Sequence, residues 1–202
     1  MPTELRVLGM RHPSEFDPNK SIIVNVCSNS DEVWSTDLSP FKLGPCPLYG
    51  GMTAQVMENA WQYAKVYAQH LKGGEPTEEY WTWAKAGFAD YNAHRFPMGR
   101  GARPAFSLWD GQKLNYIEAR KKIYAPLYAE AVQKTAGYAK LKELFLSEDK
   151  VIILRDFDGY DHIKMGQTLT QVLNNSRKKC GHSFVLVMLL TCDAALKQCA
   201  MR

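Results

Sequence analysis

The pattern of apolar positions along the chain predicts short strands between helical stretches. Four segments are rich in apolar and β-branched residues, which is typical of strands: residues 5–9, 21–27, 150–154 and 183–191. The last of these contains the longest apolar run, residues 184–190. Because a membrane-spanning helix needs ~20 apolar residues, we expect this run to be a buried strand and expect no contact with a membrane.

Apolar residues at intervals of three and four predict helices. Val56, Ala60 and Ala64 recur in this way within the first helical stretch. The predicted helices cover residues 53–71, a segment that begins at residues 76–79, residues 112–134 with a bend near Pro126, residues 137–146 and residues 165–179.

Residues that favour helix ends and turns set the expected boundaries. Thr53 is the predicted N-cap of the first helix, and the glycines at 73–74 end it. Gly181 is the predicted C-cap of the last helix. Residues 28–51 and 95–111 are rich in proline and glycine, which favours irregular structure.

These elements predict an α+β fold, mainly α, in which a helical body carries a small sheet of short strands. About six helices stand against four or five strands that do not alternate regularly with them, so a doubly wound sheet is the less favoured alternative. A chain of 202 residues is within the usual size of one domain, and we expect residues 1–202 to form a single domain.

Composition narrows the class of protein. The five cysteines form no C-x-x-C pair, and no signal peptide is recognisable, which indicates reduced thiols and a cytoplasmic location. Cys27 and Cys192 lie in apolar surroundings, and we expect both to be core residues. The net charge of +4 permits phosphate-bearing partners, but the basic runs 120–122 and 177–179 are more typical of solvated helix faces than of a binding patch.

Familiar catalytic motifs are absent from the sequence. There is no phosphate-binding glycine loop, no G-x-S-x-G nucleophile turn and no paired spacing of histidine and cysteine that indicates zinc. The five histidines are far apart along the chain. We therefore expect no metal and no cofactor, and chemistry based on carboxylates and amines.

One helical stripe combines groups that can react. Glu58, Gln62 and Lys65 stand at i, i+4 and i+7, so that a carboxylate, an amide and an amine share one face. A polar stripe on a core-facing helix is costly unless it faces a pocket. The alternative is an exposed face with a helix-stabilising acid–base pair.

Two further clusters lie in loops. Residues 155–162 follow an apolar strand and include Asp156 and Asp158. They indicate either a site at a strand end or a simple acidic turn. Arg100 and Arg103 lie in a glycine-bearing loop that leads to Trp109. Their guanidinium groups indicate either a phosphate-binding loop or simply a solvated one.

Taken in order, these motifs resemble the NADAR superfamily, which is associated with NAD and ADP-ribose metabolism. The loop at residues 38–41 stands where members carry a Ser-Asn-Phe-Ser-Pro-like segment, and residues 57–65 resemble their Glu-x-x-x-Gln-x-x-Lys helix. Gly99-Arg100, Trp109-Asp110 and the strand with its acidic turn follow in the same order. Asn59 stands where members have histidine, and Asp158-Gly159-Tyr160 replaces their Trp-Gly turn.

The resemblance implies a NADAR-like domain that hydrolyses an N-glycosidic bond of an ADP-ribosyl or related nucleotide group, with DNA as a candidate partner. It implies that Glu58 is the catalytic carboxylate or base, that Lys65 orients Glu58, holds a phosphate or attacks the sugar, and that Asp156 or Asp158 binds ribose or supplies a proton. The implied substrate-binding residues are Ser39, Phe41, Asn59, Trp61, Gln62, Arg100, Arg103 and Trp109. Two alternatives stay open: another nucleic-acid modification or repair enzyme, and a non-catalytic nucleotide-binding protein of the same fold.

Overall fold

The computed structural model describes residues 4–13, 16–147 and 149–199. Its strands are β1 (Leu5–Gly9), β2 (Ser21–Asn25), β3 (Cys46–Pro47), β4 (Thr53–Ala54), β5 (Lys65–Val66), β6 (Leu71–Lys72), β7 (Glu75–Pro76), β8 (Phe106–Trp109), β9 (Gln112–Leu114) and β10 (Val151–Asp156). Its α-helices are α1 (Val33–Thr36), α2 (Met57–Tyr63), α3 (Glu78–Ala89), α4 (Tyr116–Ala119), α5 (Ala125–Val132), α6 (Ala136–Ser147), α7 (Leu169–Asn174) and α8 (His182–Leu190).

A parallel sheet of three strands positions the functional part of the molecule. β10 is the middle strand and pairs with β1 on one side and β2 on the other. Leu154 of β10 lies between Val7 and Val24, and all three are buried. Because parallel strands end at the same edge, Asp156 at the end of β10 and the residues that follow β2 meet there.

Smaller antiparallel pairs surround this sheet. β3 pairs with β4, β5 with β8 and β8 with β9, and β6 forms a hairpin with β7. The architecture is thus a mixed α+β fold with small sheets of short strands, as the sequence predicted. Within the described ranges, the helices are too short or too polar for any of them to cross a membrane.

Three strand predictions are confirmed, and one is wrong. β1, β2 and β10 lie within or close to the predicted segments. Residues 183–191, predicted as a strand, instead fall largely in α8, of which only Leu189 is not buried. A helix that is apolar on all sides is a core helix, and a short apolar run has no periodicity that distinguishes it from a buried strand.

The first predicted helix is shorter than expected. α2 begins after Val56, and Thr53, the predicted N-cap, lies in β4. The helix ends at Tyr63 because Lys65 and Val66 leave it to pair with β8. The glycines at 73–74 form the turn of the β6–β7 hairpin, where both have positive φ, and do not end a helix.

The other helix predictions are correct in existence but not all in extent. α3 and α6 match the predictions closely. The predicted helix at 112–134 begins later, because residues 112–114 form β9 and Asn115 makes a capping box for α4. A π-helical turn over residues 120–124 follows and runs directly into α5, whose second residue is Pro126.

The predicted helix at 165–179 is reduced to α7, which begins at the capping residue Thr168. Gly181, predicted as its C-cap, is the N-cap of α8 instead. Arg120 was expected on a solvated face but is buried, because its guanidinium donates to four carbonyl groups at and beyond the end of α7: those of Val172, Leu173, Asn175 and Lys178.

Of the two cysteine predictions, one is confirmed and one is wrong. Cys27 is buried as expected, whereas Cys192 is exposed. Cys192 follows the end of α8 with a positive φ of 51°, so it lies in the turn that leaves the core helix. It is therefore a surface thiol.

Candidate functional site

A cavity of about 420 Å³ opens at the carboxyl edge of the parallel sheet. Its walls come from α2, the loop over residues 95–104, the end of β10 and the start of α8. Eight of the residues expected from the sequence line it: Ser39, Phe41, Glu58, Trp61, Gln62, Lys65, Asp156 and Asp158. Three segments that the sequence singled out, residues 38–41, 57–65 and 155–162, therefore meet at this cavity.

Four other expected residues do not line this cavity. Arg100 and Arg103 are exposed, and the guanidinium of Arg100 lies 5.8 Å from the ring of Phe96. Trp109 is buried with its ring 4.9 Å from Tyr49, edge to face. Neither arginine is placed against the carboxylates of the cavity, and Trp109 belongs to the packed core.

Asn59, the fourth of these residues, does not line the cavity but binds the backbone of the segment before Arg95. Its amide nitrogen donates to the carbonyls of Asp90 and Asn92, and its amide oxygen accepts from the backbone N–H of His94. The side chain is fully buried. Asn59 thus anchors the segment that carries Arg95 into the cavity.

Glu58 and Gln62 of α2 and Lys65 of β5, just beyond the end of that helix, form a chain of hydrogen bonds along the cavity wall. Gln62 Nε2 donates to Glu58 Oε1 at 2.7 Å, and Lys65 Nζ donates to Gln62 Oε1 at 2.6 Å. The Lys65 ammonium also lies 4.7 Å from the centre of the Trp61 ring. Because the lysine binds the amide oxygen, the amide nitrogen is directed at the carboxylate.

Burial shifts both charged ends of this chain toward their neutral forms. Burial raises the pKa of Glu58, and the hydrogen bond from Gln62 and the charge of Lys65 offset this only in part. Burial lowers the pKa of Lys65 to about 8, against the opposing influence of Glu58. Shifts of this kind in a cavity are typical of groups that exchange protons.

Asp156 lies across the cavity in a much denser network. Its Oδ2 accepts from Ser183 Oγ at 2.8 Å and from Ser183 N at 3.4 Å, and its Oδ1 accepts from Asp158 N at 3.1 Å. Burial by itself would raise the pKa of Asp156, but the charge of His182 and these hydrogen bonds outweigh it and hold the pKa below the ordinary value. Asp156 is therefore held as a carboxylate.

Gly181 permits this network. A Cβ atom at Gly181 would lie 2.2 Å from Asp156 Oδ2, so any other residue would push the carboxylate away from the start of α8. His182 follows, and its Nε2–H donates to the carbonyl of Val26 at 2.8 Å while Nδ1 lies 3.4 Å from Asp156 Oδ2.

Two cations at the cavity were missed by the sequence reasoning. Arg95 donates to both oxygens of Asp158, at 3.1 and 3.3 Å, and Lys179 Nζ donates to Asp158 Oδ1 at 3.0 Å. Both line the cavity. Arg95 follows an ordinary Asn-Ala-His segment, and Lys179 belongs to a run expected to be solvated. The sequence around each residue therefore has no pattern that indicates a functional site.

Aromatic side chains complete the walls. Phe41, Trp61, Tyr67, Phe96, Tyr116, Tyr124 and Phe157 all line the cavity. The loop that carries Phe41 is held against α2, because Glu58 N donates to the carbonyl of Pro40 at 3.0 Å. Within the loop, Phe41 N donates to Ser39 Oγ at 3.3 Å. The cavity thus combines flat apolar surfaces with a small set of charged groups, as ligand sites do.

A family model described as a family of unknown function (DUF6939) matches residues 11–170. The matched segment contains Glu58, Gln62, Lys65 and Asp156 and ends before Lys179 and His182. No curated protein matches the chain, and no solved structure matches it.

Proposed function

The chain belongs to this family of unknown function, and we propose from the geometry of its cavity that it is an N-glycosidase acting on an ADP-ribosyl or related ribosyl-nucleotide group. The observation that carries the proposal is the buried carboxyl group of Glu58, which faces the cavity and has one side-chain donor, Gln62. A carboxylate in this setting can stabilise positive charge on a sugar ring and accept a proton from water.

The proposed reaction breaks the bond between ribose C1′ and a base nitrogen. The bonding electrons leave with the nitrogen, which takes up a proton, and positive charge develops over C1′ and the ring oxygen. Glu58 stabilises that charge and accepts a proton from the attacking water, whose oxygen forms the new bond to C1′. The products are the base with its nitrogen protonated and a ribose with a hydroxyl group at C1′; for ADP-ribosylated DNA these are the restored DNA and free ADP-ribose.

Lys65 acts on Glu58 through Gln62 in this mechanism. Its Nζ contacts the amide oxygen of Gln62, so its charge helps to keep Glu58 ionised without direct contact. With a pKa lowered to about 8, part of Lys65 is an uncharged amine near neutral pH, and direct attack of this amine on C1′ is the alternative mechanism.

The remaining walls suit a nucleotide. A volume of about 420 Å³ lies within the ~300–1,000 Å³ range of small-molecule sites, and Trp61 and Phe41 offer flat surfaces for a base. Arg95 and Lys179 are the cavity-lining cations that suit a diphosphate, in place of Arg100 and Arg103. The Glu-x-x-x-Gln-x-x-Lys resemblance to the NADAR superfamily supports the same substrate class.

The proposal is tested by incubating the purified protein with single-stranded DNA that carries ADP-ribose on guanine, followed by mass analysis of the products. We expect free ADP-ribose and restored DNA. Binding of ADP-ribose without product at any protein concentration would favour the non-catalytic nucleotide-binding alternative. A change in the DNA base without release of ADP-ribose would favour a different nucleic-acid modification enzyme.

A further inference from the structure

Three residues far apart in the sequence place metal-binding atoms together at the floor of the cavity. Cys27 follows β2, Asp156 ends β10 and His182 begins α8. Their Sγ, carboxylate oxygen and imidazole nitrogen atoms all lie within 4.8 Å of one another, and all three residues are buried. The spacing along the chain explains why the sequence predicted no metal.

The separations fit a tetrahedral ion. Ligands bound to zinc at ~2.0–2.3 Å lie about 3.3–3.8 Å from one another. Cys27 Sγ lies 3.8 Å from Asp156 Oδ1, and His182 Nδ1 lies 3.4 Å from Asp156 Oδ2. These two distances run to different oxygens of Asp156, and every pair of ligand atoms in the cluster lies within 4.8 Å.

His182 is oriented as a ligand. Its Nε2–H donates to the carbonyl of Val26 at 2.8 Å, which leaves Nδ1 directed at Asp156 and Cys27. Metal-binding histidines almost always donate their other N–H to a carbonyl or carboxylate in this way, which fixes the tautomer and the ring plane.

Asp156 is also held by groups outside the cluster. Ser183 Oγ and Asp158 N donate to its two oxygens, and hydrogen bonds of this kind orient metal-binding carboxylates.

All three residues line the cavity, so a bound ion would keep a position open to water or a ligand, as catalytic metal sites do. A thiolate and an imidazole favour zinc-like ions over magnesium and calcium, which prefer oxygen ligands. We propose that Cys27, Asp156 and His182 bind one zinc-class divalent cation whose remaining coordination position faces the cavity. This inference does not rest on the proposed glycosidase activity.

The test uses the full chain, treated with chelator and titrated with Co²⁺ as a spectroscopic substitute for Zn²⁺. We expect one equivalent to bind with a sulfur-to-cobalt charge-transfer band and Zn²⁺ to displace it. Cys27→Ser should lose the band and at least ~10-fold in affinity, whereas the matched control Cys192→Ser, which changes an exposed thiol, should keep both. Absence of stoichiometric binding to the wild type, or a band that survives Cys27→Ser, would overturn the proposal.

A second measurement needs no variant. X-ray absorption of the zinc-loaded wild type should show one sulfur and two or three nitrogen or oxygen neighbours. A first shell without sulfur, or with two or more sulfurs, would overturn the assignment, whether or not Cys27→Ser folds.

Discussion

Glu58 and Asp156 face the same cavity and are almost equally buried, with 5% and 3% of their surfaces exposed, yet their pKa values move in opposite directions. The pKa of Glu58 is raised, and that of Asp156 is lowered. Burial disfavours the charged form of both groups. The difference must therefore come from their partners.

The two carboxylates differ in how many donors they receive. Gln62 donates to Glu58, whereas Ser183 and the backbone of Asp158 donate to Asp156, with His182 beside it. Two or three donors hold a buried carboxylate in its charged form, and a single donor leaves it able to exchange a proton. We therefore expect Glu58 to exchange a proton more readily than Asp156, which its donors hold as an anion.

The largest expected effect comes from Glu58→Gln. It removes the group proposed to stabilise C1′ and to accept the proton of water, and general-base groups contribute ~10²–10⁴-fold to rate. We expect kcat to fall by that order in a quantitative release assay, with little change in KM. The matched control Glu78→Gln, which changes an exposed glutamate of α3, should retain wild-type kcat, and an active Glu58→Gln protein would refute the assignment.

Asp156→Asn should act mainly on stability. It removes the charged acceptor of the hydrogen bonds from Ser183 and the backbone of Asp158, and a buried donor left without its partner costs ~1–3 kcal/mol. We expect the free energy of unfolding in urea to fall by about that amount. Asp158→Asn, whose side chain is 29% exposed and salt-bridged at the surface, should cost no more than about 1 kcal/mol; equal losses would contradict the comparison.

Arg95→Ala tests which cations bind the phosphates. Removal of a charged hydrogen-bond donor costs ~1.5–3 kcal/mol of binding, so KM should rise by about 10-fold or more with a smaller change in kcat. Arg103→Ala is the matched control, because Arg103 is exposed and does not line the cavity. If only the Arg103 variant raises KM, the loop suggested by the sequence is the phosphate site.

Lys65→Arg should change the shape of the pH–rate profile more than its maximum. With the pKa of Lys65 at about 8, its charge is lost as the pH rises through that value, so wild-type activity should fall on the alkaline side. Arginine stays charged, and the variant should keep its activity there. An inactive Lys65→Arg enzyme, with wild-type activity that rises above pH 8, would instead indicate attack by the amine.

The smallest effect is a pH dependence of stability with opposite signs for the two carboxylates. The contribution of Asp156, whose folded pKa is lowered, is present above its unfolded pKa and is lost as the pH falls through the folded value. The contribution of Glu58, whose folded pKa is raised, is present below its unfolded pKa and is lost as the pH rises through the folded value. Glu58→Gln should thus be at least as stable as the wild type at neutral pH, and urea titrations at several pH values check this.

The sequence could predict only those parts of the site that are marked by a pattern of neighbouring residues. Helical spacing places Glu58 and Gln62 on one face of α2, and Asp156 follows from a strand end. Lys65 was expected on the same helical face but reaches Gln62 from β5, because the helix ends at Tyr63. Arg95, Cys27 and His182 enter the cavity only through long-range packing, so no spacing indicates them.

The fold, too, could be predicted only where neighbouring residues form a clear pattern. Strands with β-branched residues and helices with clear periodicity, such as β10 and α6, were predicted correctly. α8 was not, because a fully apolar segment lacks the periodicity that separates helix from strand. Short strands such as β5 depend on a partner distant in sequence, and they shortened the predicted helix at 53–71.

The most direct test of the contrast between the two carboxylates is an NMR titration of their side-chain carbons in the wild-type protein, with Glu58→Gln used to assign the Glu58 signal. The account predicts a midpoint for Glu58 above its ordinary value of 4.5 and a midpoint for Asp156 below 3.8. A Glu58 midpoint at or below its ordinary value, or an Asp156 midpoint above that of Glu58, would contradict it.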